Sequence, residues 1–105
     1  MLYVVPTSKA NKMLEFENYV VASDEAEAIS MACGEYLATG IPAKAVMGEN
    51  GLLNALDAII TLSQLHEIPV DLFLFPRADE PQHKMVTDGL DALLKLYKIH
   101  CNVVN

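Results

Sequence analysis

Two hydrophobic periods take turns along this chain. Short aliphatic or β-branched runs at Leu2–Val5, Asn18–Ala22, Ala43–Met47, Val70–Phe75 and Ile99–Val104 predict five strands. Between them, apolar residues recur at helical spacing. Thr7 or Ser8 caps a predicted short helix with Ala10, Met13 and Leu14 on one face. Ser23 or Asp24 opens a second helix, and Asp24 with Glu27 has capping-box spacing. Ala28, Ile29, Ala32, Cys33, Tyr36 and Leu37 form its apolar stripe, and Gly40 supplies the stop before Pro42. A third helix is predicted from about Leu52 to His66, with Leu52, Leu56, Ile59, Ile60 and Ser63 in register and Pro69 beyond its end. Pro76–His83 reads as a polar loop. A fourth helix then carries Val86, Leu90, Leu93, Leu94 and Tyr97 on one face.

Strands separated by helices pair in parallel, because a parallel crossover needs a dozen or more residues. The predicted fold is therefore α/β: a three-layer α/β/α sandwich with a mainly parallel sheet of about five strands. It forms one domain over residues 1–105, a length that buries about two thirds of its surface. Open sheets of this kind bind ligands at the carboxyl ends of their strands. Those ends are Pro6–Ser8, Ser23–Glu25, Gly48–Gly51, Pro76–His83 and the C-terminus.

Charge and cysteine content narrow the function. A net charge of −7 leaves no basic face for nucleic acid or an anionic membrane. No apolar run approaches the ~18 residues of a membrane span, and no signal-peptide pattern opens the chain. Two cysteines make no disulfide framework, so the expected setting is a reducing cytoplasm. His66, His83 and His100 share no metal-ligand spacing. Cys33, His100 and Cys101 read as packing residues, the methionines as core gap-fillers, and Asp71 as a solvated residue at a strand's start. No Gly-x-Ser-x-Gly elbow, P-loop, receiver-type acidic pair or flavodoxin-type phosphate loop is present.

Glu25 begins a helix, where the macrodipole alone favours a carboxylate. Its functional reading is an acid at the sheet's carboxyl edge, partly buried and suited to proton exchange. The Gly48-Glu49-Asn50-Gly51 loop is either a plain turn or a set of N–H groups offered to an anion or cofactor. The charged run from Asp79 to Lys84 is either a solvated loop or, with Arg77, His83 and Lys84, the polar mouth of a site.

Three stretches carry a family resemblance. Ala22-Ser23-Asp24-Glu25-Ala26-Glu27-Ala28 runs on to Leu37-Ala38-Thr39-Gly40. The second stretch is Met47-Gly48-Glu49-Asn50-Gly51-Leu52-Leu53-Asn54. Ile68-Pro69 precedes the fourth strand, and Arg77 and Asp79-Glu80-Pro81-Gln82-His83 follow it. Together they resemble the pyrimidine-binding domain of thiamine-diphosphate-dependent decarboxylases, in particular phosphonopyruvate decarboxylase and the sulfopyruvate decarboxylase alpha subunit. The likeness spans about Tyr3 to Val104.

The resemblance implies that Glu25 is catalytic, hydrogen-bonding the cofactor's aminopyrimidine so that the thiazolium carbon can be deprotonated to attack a 2-oxo acid. It implies cofactor contacts from Glu25, Gly48, Glu49, Asn50, Gly51 and Asn54, and substrate contacts from Thr7, Ser8, Arg77 and His83. It implies thiamine diphosphate and Mg²⁺ held mainly by a partner chain, because the Gly-Asp-Gly motif of the family's diphosphate-binding domain does not occur here. The chain departs from the family at Glu49, where Asn is usual, and at Leu53, where Gly is usual. The expectation is a subunit of a hetero-oligomer, bearing a partner-facing apolar patch. A non-catalytic assembly or regulatory subunit of the same fold is the alternative, and an unrelated small α/β binding or signalling domain is a third reading.

Overall fold

A computed structural model describes residues 1–7, 10, 18–76 and 81–104, apart from the side chains of residues 81–84. Five strands form one sheet: β1 (Leu2–Val4), β2 (Tyr19–Val21), β3 (Ala43–Gly48), β4 (Val70–Phe75) and β5 (Asn102–Val103). Their order is β2-β1-β3-β4-β5, and every neighbouring pair is parallel. Single hydrogen bonds extend the ladders at the carboxyl end, from Val5 N–H to Val46 at 2.9 Å and from Ala22 N–H to Val4 at 2.9 Å. The predicted α/β sandwich with a parallel sheet is the fold found.

Three connections step the same way across the sheet, from β2 to β3, β3 to β4 and β4 to β5. Right-handed crossovers place all three on one face. They are α1 (Glu25–Thr39), α2 (Leu52–Ala58) continued by a π-helix (Ile59–Gln64), and α3 (Pro81–Leu96). Under them Tyr3, Ala45, Met47, Leu72 and Leu74 join Ile29, Cys33, Leu52 and Leu90 in the larger core. The alternate strand positions, Leu2, Val4, Val46 and Phe75, form a second core with Ala10 on the opposite face. The strand β3 lies in the middle and is covered on both faces, so Ala43, Ala45, Val46 and Met47 are all buried.

Helix α1 shows how local chemistry sets a boundary. Asp24 is its N-cap and accepts the Glu27 N–H at 2.8 Å. The Glu27 carboxylate reaches one residue further back than a capping box requires, taking the Ser23 N–H at 3.1 Å and the Ser23 hydroxyl at 2.7 Å. Gly40 ends the helix at φ 74°, its N–H bonding the Tyr36 carbonyl. Farther along α1, Glu35 accepts the Tyr3 hydroxyl at 3.2 Å, which ties the helix to β1. Burial and then the Glu35 charge push the Tyr3 phenol upward from its ordinary pKa.

Several expectations are corrected. Leu37 of the α1 stripe is exposed, because the stripe turns out of the core in the last turn. Met1 and Met85 are exposed rather than gap-filling, while Met47 is fully buried. The third helix is α-helical only to Ala58 and then widens to π geometry. Helix α3 begins at Pro81, so Gln82 and His83 belong to it and not to a loop; proline suits a first helical position because it lacks only an N–H that would go unpaired there. The last strand is two residues long, so His100 precedes it and is exposed, and Cys101 is half-buried. Asp71 is solvated near the start of β4, as expected. The predicted helix with Met13 and Leu14 lies outside the described residues.

The Ser23 hydrogen bonds hold the Glu27 carboxyl below its ordinary pKa. A lowered acid stabilises the fold above its unfolded pKa, and that contribution disappears as pH falls through the lowered value. Thermal unfolding followed from about pH 6 to about pH 3 should therefore lose less stability in Ser23→Ala than in the unaltered chain. An identical pH slope in both would contradict the assignment.

Candidate functional site

The sheet reverses its winding between β1 and β3: the chain leaves β1 toward β2 on one side and leaves β3 toward β4 on the other. Open parallel sheets bind ligands at such a reversal, beyond the carboxyl ends of the strands. Glu25 reaches this edge from β2, as the first residue of α1 and half-buried. Gly48, Glu49, Asn50 and Gly51 leave the end of β3 through a 3₁₀ turn (Glu49–Gly51) that runs directly into α2.

The two segments meet side chain to backbone. A Cβ on Gly51 would overlap the Glu25 carboxyl group, with Glu25 Cδ 2.7 Å and Cγ 2.8 Å from its position. Gly51 has φ −79°, which any residue adopts, so it is space rather than backbone freedom that calls for glycine. One turn on, the Asn54 side-chain amide donates to Glu25 Oε2 at 3.4 Å. The carboxylate therefore rests against the start of α2 with one oxygen engaged. A half-buried carboxylate in that position can accept a hydrogen bond from a donor presented at this edge.

The same turn holds its other acid differently. Glu49 is buried and accepts the Thr87 hydroxyl of α3 at 2.8 Å. Gly51 and Asn54 thus face α1, while Glu49 faces α3, and the 3₁₀ turn is anchored from both sides. Thr87 carried no motif. Its one signal was its spacing, three residues before Leu90 and seven before Leu94, which sets a polar group on an apolar stripe.

Thr7, Gly48 and Asn50 lie at the carboxyl ends of the neighbouring strands β1 and β3. Thr7 lies just past β1, and its side-chain oxygen accepts the Ala10 N–H at 3.1 Å, forming a turn. Asn50 is half-buried in the 3₁₀ turn and Gly48 is buried at the end of β3. Ser8 and Arg77 lie outside the described residues, as does the His83 side chain. Among the described residues, no three His, Cys, Asp or Glu side chains gather to hold a metal, and no helix is long and apolar enough to cross a membrane. Among the described residues, the exposed apolar side chains near this edge include Val21 at the end of β2, Leu53 between Gly51 and Asn54, Met85 early in α3 and Val103 at the end of β5.

The fold and its edge define an all-parallel α/β sandwich with a carboxylate at the reversal of its sheet. No family model, no curated protein and no solved structure matches the chain.

Two substitutions probe the edge. Gly51→Ala should turn the Glu25 side chain outward, because its carboxyl group is the mobile partner in the overlap. The side-chain amide resonances of Asn54 should shift, while stability changes by no more than about 1 kcal/mol. Thr87→Val leaves a buried carboxylate without one of its donors and should cost about 1–3 kcal/mol in denaturant unfolding.

Proposed function

We propose that the chain is the pyrimidine-binding subunit of a heteromeric thiamine-diphosphate-dependent 2-oxo acid decarboxylase or a related carboligase. The enzyme works in the cytoplasm and shares its active site with a diphosphate-binding chain that holds most of the cofactor and Mg²⁺. The observation that carries this reading is the Glu25 carboxylate seated on Gly51 and held by Asn54 at the carboxyl edge of the sheet. All three residues fall inside the stretches that resemble the decarboxylase domain.

These residues fit an aminopyrimidine. The ring needs a carboxyl group as hydrogen-bond partner for its nitrogen, and Glu25 supplies one that is half-buried yet reachable. Gly51, lacking a side chain, leaves that carboxyl close to the backbone of α2. Asn54 fixes its orientation by holding one oxygen. Once bound, the cofactor supplies the electron sink for loss of CO₂. Thr7 is at the adjoining strand end, and Ser8, Arg77 and His83 are the residues proposed to meet the substrate. Exposed Val21, Leu53 and Met85 suit a partner chain closing over the edge.

A second reading has its own observation. Glu49 stands where the resembled family has an amide, and its carboxylate is engaged by Thr87. A chain whose loop serves packing in this way suits a non-catalytic assembly subunit.

Calorimetry separates the two. Thiamine diphosphate with Mg²⁺ should bind the mixture of this chain and a diphosphate-domain chain, and neither alone. Glu25→Gln should then lower 2-oxo acid turnover by about 10²-fold or more. A complex that forms but binds no cofactor would favour the assembly reading.

A further inference from the structure

The edge of the sheet opposite Glu25 carries a cavity of about 190 Å³, lined by aliphatic side chains, Ile59 and Leu72 among them, and by the polar Ser63, Gln64, Lys98 and His100. Three unusual backbone features converge on it. The first is the π-helix (Ile59–Gln64), a rare geometry that recurs at functional sites and here supplies Ile59 to the wall. The other two are helix ends. After Gln64 the chain turns through Glu67 at φ 54°, and after Leu96 through Lys98 at φ 53°.

Both ends are Schellman caps. Ile68 N–H reaches Ser63 at 2.8 Å and Glu67 N–H reaches Gln64 at 3.2 Å; Ile99 N–H reaches Leu94 at 2.9 Å and Lys98 N–H reaches Lys95 at 3.3 Å. Such caps favour glycine at the left-handed residue, and α1 uses Gly40 in that conformation, away from this cavity. A lysine in the same role is a local disadvantage that its side chain has to justify. The Gln64 amide also donates to the Tyr97 carbonyl at 2.7 Å, joining the two caps across the cavity's rim. The carbonyls of Ser63, Gln64, Leu94 and Lys95 are thus engaged by the caps, and that of Tyr97 by the Gln64 amide.

Lys98 has no ion-pair partner among the described residues, in a chain whose net charge is −7. A pocket lined mainly by aliphatic side chains, with the unpaired Lys98 among its lining residues, suits a molecule with a short hydrocarbon tail and one anionic head. The cavity is large enough to take a short hydrocarbon tail. We propose that this cavity is a second ligand site, separate from the Glu25 edge, for a short aliphatic monocarboxylate whose tail enters the pocket and whose carboxylate meets Lys98. The inference is independent of the decarboxylase reading.

The probe is 3-methylbutanoate, with 3-methylbutanol and 3-methylbutylamine as controls, titrated into the full chain by calorimetry and by amide NMR. Expected is a dissociation constant on the order of 1 mM for the acid, with shifts clustered at residues 59–64 and 97–101. Lys98→Gln should weaken binding at least tenfold. Lys98→Gly should also weaken it and at the same time raise the unfolding midpoint by about 4 °C, since glycine removes the left-handed strain. The proposal is overturned by no acid binding, by equal binding of the alcohol or amine, or by undiminished binding to Lys98→Gln. Shifts centred on Glu25, or a Lys98→Gly midpoint that does not rise, would overturn it as well.

Discussion

A parallel strand cannot turn straight back on itself, and the rest of this molecule follows from that constraint. Every connection must travel the length of the sheet again, and the handedness of strand twist sends three successive connections over the same face. The middle strand β3 has a core on each face, and all its residues but Lys44 are buried. The same constraint sorts chemistry by edge. Residues that leave strands gather at one end, and residues that enter strands gather at the other. Glu25, Gly51 and Asn54 belong to the first group; Lys98 and His100 belong to the second.

The architecture was legible because its signals are periodic and long. The strand at Val70–Phe75 lies where its apolar run predicts, and α1 ends on the glycine that marks its stop. The failures share a different cause. Leu37 and Met85 are apolar residues that a helical stripe cannot distinguish from core, since the width of the neighbouring layer decides their burial. The switch from α to π geometry at Ile59 leaves no mark in hydrophobic spacing, because both forms keep Ile59 inward. Pro81 was read as part of a loop, although a proline is equally at home as the first residue of a helix.

The candidate site was legible only in part. Strand ends pointed to Glu25 and to the turn after β3, but nothing in spacing foretold that the missing side chain at Gly51 would leave the space Glu25 occupies. Nor did it separate the two acids of this edge. Glu25 and Glu49 look alike in sequence, yet one lies half-buried at the start of α1 and the other is buried and bonded to α3. The difference lies in Thr87, whose hydroxyl supplies a donor from 38 positions away. Contacts of that range depend on how α3 lies over the sheet, which no local pattern encodes.

The π-helix has a consequence for how this chain can change over generations. Its wider turn holds one residue more than an α-helix of the same span would. Losing a single residue between Ile59 and Gln64 would restore ordinary winding, with no frameshift in the fold before it. Everything after the deletion would keep its orientation about the helix axis, because the wider turn already absorbs the extra residue. The helix end that carries the bond from Gln64 to Tyr97 would stay in register. A lineage could thus change the lining between Ile59 and Gln64 through one codon, leaving the upper edge of the sheet as it was.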